Sequence, residues 1–130
     1  MNDIIQLKIT LQDTKPHIWR RVLVDRGTSF FELHHILQIA FGWKNSHLFE
    51  FRYKNCRISE QSEDFDEDEF GDSTFIDSIF IALGGLLIRE KVEFIYEYDF
   101  GDGWQHEIIV EKFLAADLKQ KYPVCIGGEL

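Results

Sequence analysis

Residues 92–110 alternate polar and apolar side chains with a period of two, and a glycine-rich turn interrupts the pattern once. Such a stretch folds as a two-stranded ribbon. Val92, Phe94, Tyr96 and Tyr98 alternate with Glu93, Ile95 and Glu97; beyond the turn, Trp104, His106, Ile108 and Val110 alternate in the same way. Between the arms, Gly101 and Gly103 supply the positive φ angles of a tight turn, and Asp99 and Asp102 can bond nearby backbone N–H groups. The turn therefore gathers two carboxylates, an indole and an imidazole, the densest polar and aromatic grouping in the chain.

The same alternation marks a strand at Ile5, Leu7, Ile9 and Leu11. Asp13-Thr14-Lys15-Pro16 is turn chemistry, and His17 to Val24 forms a second strand, with Ile18, Val22 and Val24 on one face and Trp19 and Leu23 on the other. The spacing then changes to that of a helix. Ser29 with Glu32 fits a capping box, Phe30, Leu33, Leu37 and Phe41 share one face, and Gly42 stands where a left-handed C-cap is expected. Phe49, Phe51 and Tyr53 make a third strand. A short helix capped by Ser73 or Thr74 is expected through Ile76, Ile79, Phe80 and Leu83, ending at Gly84-Gly85. Residues 111–121 read as a strand end or a helical turn, and Tyr122 to Gly128 as an ordered tail. The expected fold is a single α+β domain over residues 1–130. It has an antiparallel or mixed sheet, a β-grasp-like first half (hairpin, helix, strand) and a C-terminal β-hairpin.

At 130 residues and 45% hydrophobic content the chain has enough apolar material for one core. Its net charge of −9 is local. Eight of 23 acids fall in residues 60–72, which hold no Lys or Arg, and the other 15 face 14 bases, a balance of −1. That segment reads as a solvated, mobile loop, since it lacks the central Gly and ligand spacing of an EF-hand. The charge disfavours nucleic-acid backbones. No apolar run reaches the roughly 20 residues of a membrane span. Met1-Asn2-Asp3-Ile4 lacks the layout of a signal peptide, and two cysteines, Cys56 and Cys125, make no disulfide framework. A cytoplasmic protein is expected.

Pro16-His17-Ile18-Trp19-Arg20-Arg21-Val22, Glu32-Leu33-His34, Gly42-Trp43 with Ser46-His47-Leu48, Tyr98-Asp99-Phe100-Gly101-Asp102-Gly103-Trp104 with His106, and Tyr122-Pro123-Val124-Cys125 resemble the Ri-plasmid (pRiA4b) ORF-3-like family, and cover nearly the whole chain. The resemblance implies a small bacterial or archaeal protein, carried on plasmids or insertion elements, with no established biochemical activity. Some members carry resolvase-like (TnpR-like) labels, which these residues do not support. A serine recombinase needs a nucleophilic Ser among catalytic arginines, whereas Ser29 is explained as a cap and Ser46 has no such surroundings. Two departures stand out. Family members carry a second His two residues after the one matching His47, where this chain has Phe49. Many also run on past the Cys125 position into a Pro-Pro-Glu-Asp-Cys-Gly-like segment, where this chain has Ile126-Gly127-Gly128.

Two readings of the turn residues follow. In the first, the chain is a non-enzymatic binding or regulatory module associated with mobile elements, with no catalytic residues. Its ligand or protein partner contacts Trp43, His47, Asp99, Asp102, Trp104, His106 and Arg20. No cofactor is called for. In the alternative, the chain is a metal-dependent hydrolase or nuclease whose divalent ion is held by Asp99, Asp102, His106 and His47. Structural roles compete with both. The aspartates stabilise a turn, Arg20 shares a face with Ile18 and Val22 and calls for a carboxylate such as Asp99 or Asp102, and His34 is a bonded core histidine. Lys15, His17, Arg21 and Arg26 form at most a small basic patch.

Overall fold

Alternation gives each strand one face to bury, and the described strands pair edge to edge into one mixed sheet of eight that presents those faces together. A computed structural model describes residues 3–12, 17–43, 48–60, 74–98 and 103–129. Among the described residues the strands are β1 (Ile4–Leu11), β2 (Trp19–Asp25), β3 (Phe49–Tyr53), β4 (Cys56–Ser59), β5 (Thr74–Asp77), β6 (Glu93–Tyr98), β7 (Trp104–Leu114) and β8 (Val124–Glu129), with one α-helix, α1 (Phe30–Phe41). They lie in the order β5-β4-β3-β6-β7-β1-β2-β8. Every pairing is antiparallel except β4 with β5.

The opening hairpin and the helix form as expected. β3, however, lies between β4 and β6, so two strands separate it from β1 and this order does not carry the β-grasp-like arrangement. The expected short helix over Ile76–Leu83 is not formed. Its first residues form β5 on the edge beside β4, and two 3₁₀ turns follow at Ser78–Phe80 and Leu83–Gly85. Asp77, rather than Ser73 or Thr74, caps the first of these by accepting from the Ile79 N–H. The reason is burial: Ile79 and Phe80 are 51% and 81% exposed, so their helical spacing marks no core face. Residues 111–114 continue β7, and the tail is β8.

The core lies between α1 and one face of the sheet. Phe30, Leu33 and Leu37 of α1 pack on Ile5, Leu7, Val22, Phe51, Phe94, Ile108 and Val110, all essentially closed to solvent. Ser29 caps the helix by accepting from the Glu32 N–H at 3.0 Å, and Glu32 reaches back to the Ser29 N–H, which completes the capping box. The 3₁₀ segment braces the same end. The Phe30 N–H bonds Ile81 O and the Leu83 N–H bonds Thr28 O, while Leu83 and Leu87 close the core. Gly84 permits this approach, because a Cβ there would lie 3.1 Å from the Arg26 carbonyl oxygen. No described helix is long and apolar enough to cross a membrane.

Candidate functional site

The helix end builds the site. Gly42 takes φ +74°, its N–H bonding Ile39 O, and the Trp43 N–H bonds Gln38 O at 2.8 Å. This is a Schellman turn, which only a residue tolerant of left-handed backbone makes cheaply. It swings Trp43 off the helix and over the end of the β6–β7 ribbon. There the register pairs Tyr98 with Trp104 and Tyr96 with His106, and the period of two turns all four side chains toward α1. Trp43 therefore packs 5.6 Å from both Tyr98 and Trp104, and 6.3 Å from His106, with the indole perpendicular to the imidazole. Phe41 meets His106 edge-on at 4.9 Å.

His106 is fully buried. Its Nδ1 lies 3.1 Å from the Tyr96 carbonyl oxygen. A carbonyl can only accept, so Nδ1 carries the proton and Nε2 is left with a bare lone pair. Burial pushes this histidine down to about 4, against the smaller opposing effect of backbone bonds at Tyr96 and Trp104. Two side-chain atoms of this cluster are buried without a hydrogen-bond partner among the described residues, the Trp43 Nε1–H donor and the His106 Nε2 acceptor. An unmade bond of this kind costs about 1–3 kcal/mol.

A second polar group lies next to it, built around His34, which the sequence marks as a bonded core histidine; its partners Tyr96 and Gln38 are not singled out there. Gln38 donates to the Tyr96 hydroxyl at 2.8 Å, and the same hydroxyl is hydrogen-bonded to His34 Nδ1, 2.6 Å away. All three residues are buried, and His34 stacks on Phe49 at 3.7 Å. Burial raises the Tyr96 hydroxyl above its ordinary range, with the Gln38 bond opposing. Tyr96 thus joins both groups, through its hydroxyl on one side and its carbonyl on the other.

Of the residues expected at the site, the structure brings Trp43, Trp104 and His106 together. His47, Asp99 and Asp102 lie outside the described residues, as does most of the 60–72 acidic segment. Arg20 is on the helix side of the sheet, where it donates to Ala40 O at 2.9 Å and Trp19 O at 2.8 Å and lies 5.2 Å over the Phe41 ring. It caps a carbonyl of the last helical turn, a task no basic residue of that turn performs. Arg21 faces the other way, bonded to both carboxylate oxygens of Glu111. Among the described residues no group of three His, Cys, Asp or Glu could hold a metal ion. A separate groove of about 220 Å³ between α1 and β8 is apolar, lined by Val22, Ile36, Ile39, Pro123, Val124 and Cys125.

A small, mostly β sheet domain with one capped helix, and an aromatic pocket where helix and ribbon meet, is the class these features define. The model of the plasmid pRiA4b ORF-3-like proteins matches residues 3–130, and the chain belongs to that family. It is 36% identical over 113 residues to the uncharacterized protein y4hQ of Sinorhizobium fredii; the match takes in 87% of this chain and 56% of that protein. The chain thus spans little more than half of that relative's length. The crystal structure of MM3350 from Methanosarcina mazei Go1, a protein of unknown function, is similar with a TM-score of 0.81 and 28% identity. That likeness covers 96% of this chain and 68% of the MM3350 chain.

Proposed function

We propose that the chain is a non-enzymatic binding or regulatory module whose ligand contacts Trp43, Trp104 and His106, with His47, Asp99, Asp102 and Arg20 as further contacts. One observation carries this reading. An indole N–H and an imidazole lone pair, both buried, share one aromatic cluster with no partner among the described residues. A ligand that accepts from the first and donates to the second recovers the bonds these two atoms forgo. The module is read as one domain over residues 1–130, with 60–72 as an acidic loop. The plasmid in the family's description supports an association with mobile elements. A cytoplasmic setting accords with two free thiols, Cys56 and Cys125.

The test is an NMR titration of the ¹⁵N-labelled full chain with a panel of cellular metabolites, following the Trp43 and Trp104 indole N–H signals. Shifts confined to these indoles and their neighbours, and lost in Trp43→Phe, are the expected result. A panel that leaves both indoles unmoved, or shifts that map only to the opposite face of the sheet, overturns the reading.

A further inference from the structure

We propose that the β8 edge of the sheet, with the apolar groove beside it, is the surface on which a second copy of this chain docks, β8 against β8 as an antiparallel pair. The residues involved lie outside the Trp43 cluster, so the inference stands independently of the binding reading above.

The two ends of the sheet are finished differently. β5 closes one end with only four residues, the last of them Asp77. Short strands and charged residues are the usual means of keeping an open edge from pairing. β8, at the other end, has neither protection. It runs for six residues, only the last of which is charged, and no described strand lies along its outer side. A register shift beside Arg21 and Val22 bends the strand without adding a charge. Gly127 and Gly128 also leave the edge bare of side chains. A Cβ on Gly128 would lie 2.9 Å from the Trp19 carbonyl oxygen, and one on Gly127 3.4 Å from the Trp19 ring, so both glycines hold β8 close against β2. What completes such an edge is another extended backbone.

The groove selects which backbone. Ile36 and Ile39 of α1 form one wall and Val124 and Cys125 the other, while Ile39 and Ile126 are 83% and 50% exposed. Antiparallel pairing of β8 with its own copy sets a twofold axis perpendicular to the sheet. Both helices then lie on one face, and the Ile39 of each copy comes to the mouth of the other's groove. This adds the apolar area that a strand pair alone lacks against the roughly 800 Å² a side of a stable interface.

Charge selects the same occupant. Two copies at −9 each repel, so they can meet only where charge is absent. Residues 36–43 and 122–128, which supply both walls and the edge, hold no Asp, Glu, Lys or Arg in a chain that is 28% charged. Antiparallel pairing also puts the two Glu129 residues at opposite ends of the paired strands.

The experiment measures the mass of the full chain by sedimentation across a concentration series, with amide hydrogen exchange at both ends of that series. A concentration-dependent dimer is expected, with exchange over residues 124–128 slowing as it forms. Ile39→Lys and Ile126→Lys should each weaken the dimer by at least about tenfold, and thermal melts should show both variants folded. Ile88→Lys, at an exposed apolar residue outside the groove, should leave the dimer intact. A wild-type chain that stays monomeric up to about 1 mM overturns the proposal without recourse to a variant. So does a dimer whose exchange protection falls elsewhere, or one undiminished in either Ile39→Lys or Ile126→Lys.

Discussion

His106 and Tyr96 show what single residues cost and contribute in this core. The imidazole is neutral in the fold, with its pKa lowered to about 4, whereas an unfolded chain protonates it near 6.5. Its contribution to stability is therefore fully present above about pH 6.5 and is lost as the pH falls toward 4, because only the unfolded chain takes up the proton in that window. The size is about 3 kcal/mol at most. Urea unfolding between pH 7.5 and 4 should show this loss, and His106→Phe should flatten the slope; an unchanged slope would assign the acid sensitivity elsewhere. Tyr96 is a different case. Phenylalanine keeps its packing but removes the hydroxyl that accepts from Gln38 and is hydrogen-bonded to His34 Nδ1. Tyr96→Phe should cost about 1–3 kcal/mol, read as a lower urea midpoint in a chain that still folds.

At the scale of elements, the two ends of α1 have separable tasks. Ser29→Ala removes the cap on the first turn and should cost about 1 kcal/mol. Gly42→Ala forces a Cβ into left-handed backbone at φ +74°, with nothing within 4 Å to clash against, so its cost of about 1–2 kcal/mol is conformational. Only the second should alter Trp43 fluorescence, since Gly42 aims that side chain; equal spectra for the two variants would refute the link. These ends were legible in the sequence because caps are local: Ser29, Glu32 and Gly42 act on backbone groups within a few residues. The ribbon holding Trp104 and His106 was legible for the same reason, and Trp43 stood among the same candidate contacts. What depends on distant pairing was not legible. The four residues of β4 are too short to show a period, and β5 is a strand only because β4 lies beside it. His34 was expected to be bonded, but Gln38 and His34 reach Tyr96 across 58 and 62 residues of chain, and no local pattern names so distant a partner. Arg20 was expected on the face of Ile18 and Val22 and in need of a carboxylate; its bond to the Ala40 carbonyl was not legible, because residue types do not reveal a backbone acceptor.

For the molecule as a whole, the asymmetry of the sheet decides where charge matters. α1 covers one face, and the other carries cross-strand ion pairs. Glu50 accepts from Nε and Nη2 of Arg57, at 2.7 and 3.1 Å, and from Arg52 at 3.2 Å, while Arg52 also reaches Glu97 at 2.7 Å. Exposure within this group is uneven. The Glu50 side chain is 7% exposed, against 32% for Arg57 and 34% for Arg52. Removing the carboxylate leaves two guanidinium groups that can turn to water, and Arg52 keeps Glu97. Removing Arg57 leaves a buried carboxylate with one long contact, the circumstance in which a broken ion pair is most costly. Arg57→Met should therefore lose about 1–3 kcal/mol at pH 7, and Glu50→Met under about 1 kcal/mol, although the two delete the same pair. In the double variant most of the Arg57→Met loss should return, because the stranded charge is gone. Urea unfolding of the three variants reads this directly. Additive losses, or a larger loss for Glu50→Met, would mean that the pair contributes by attraction rather than by sparing a buried charge.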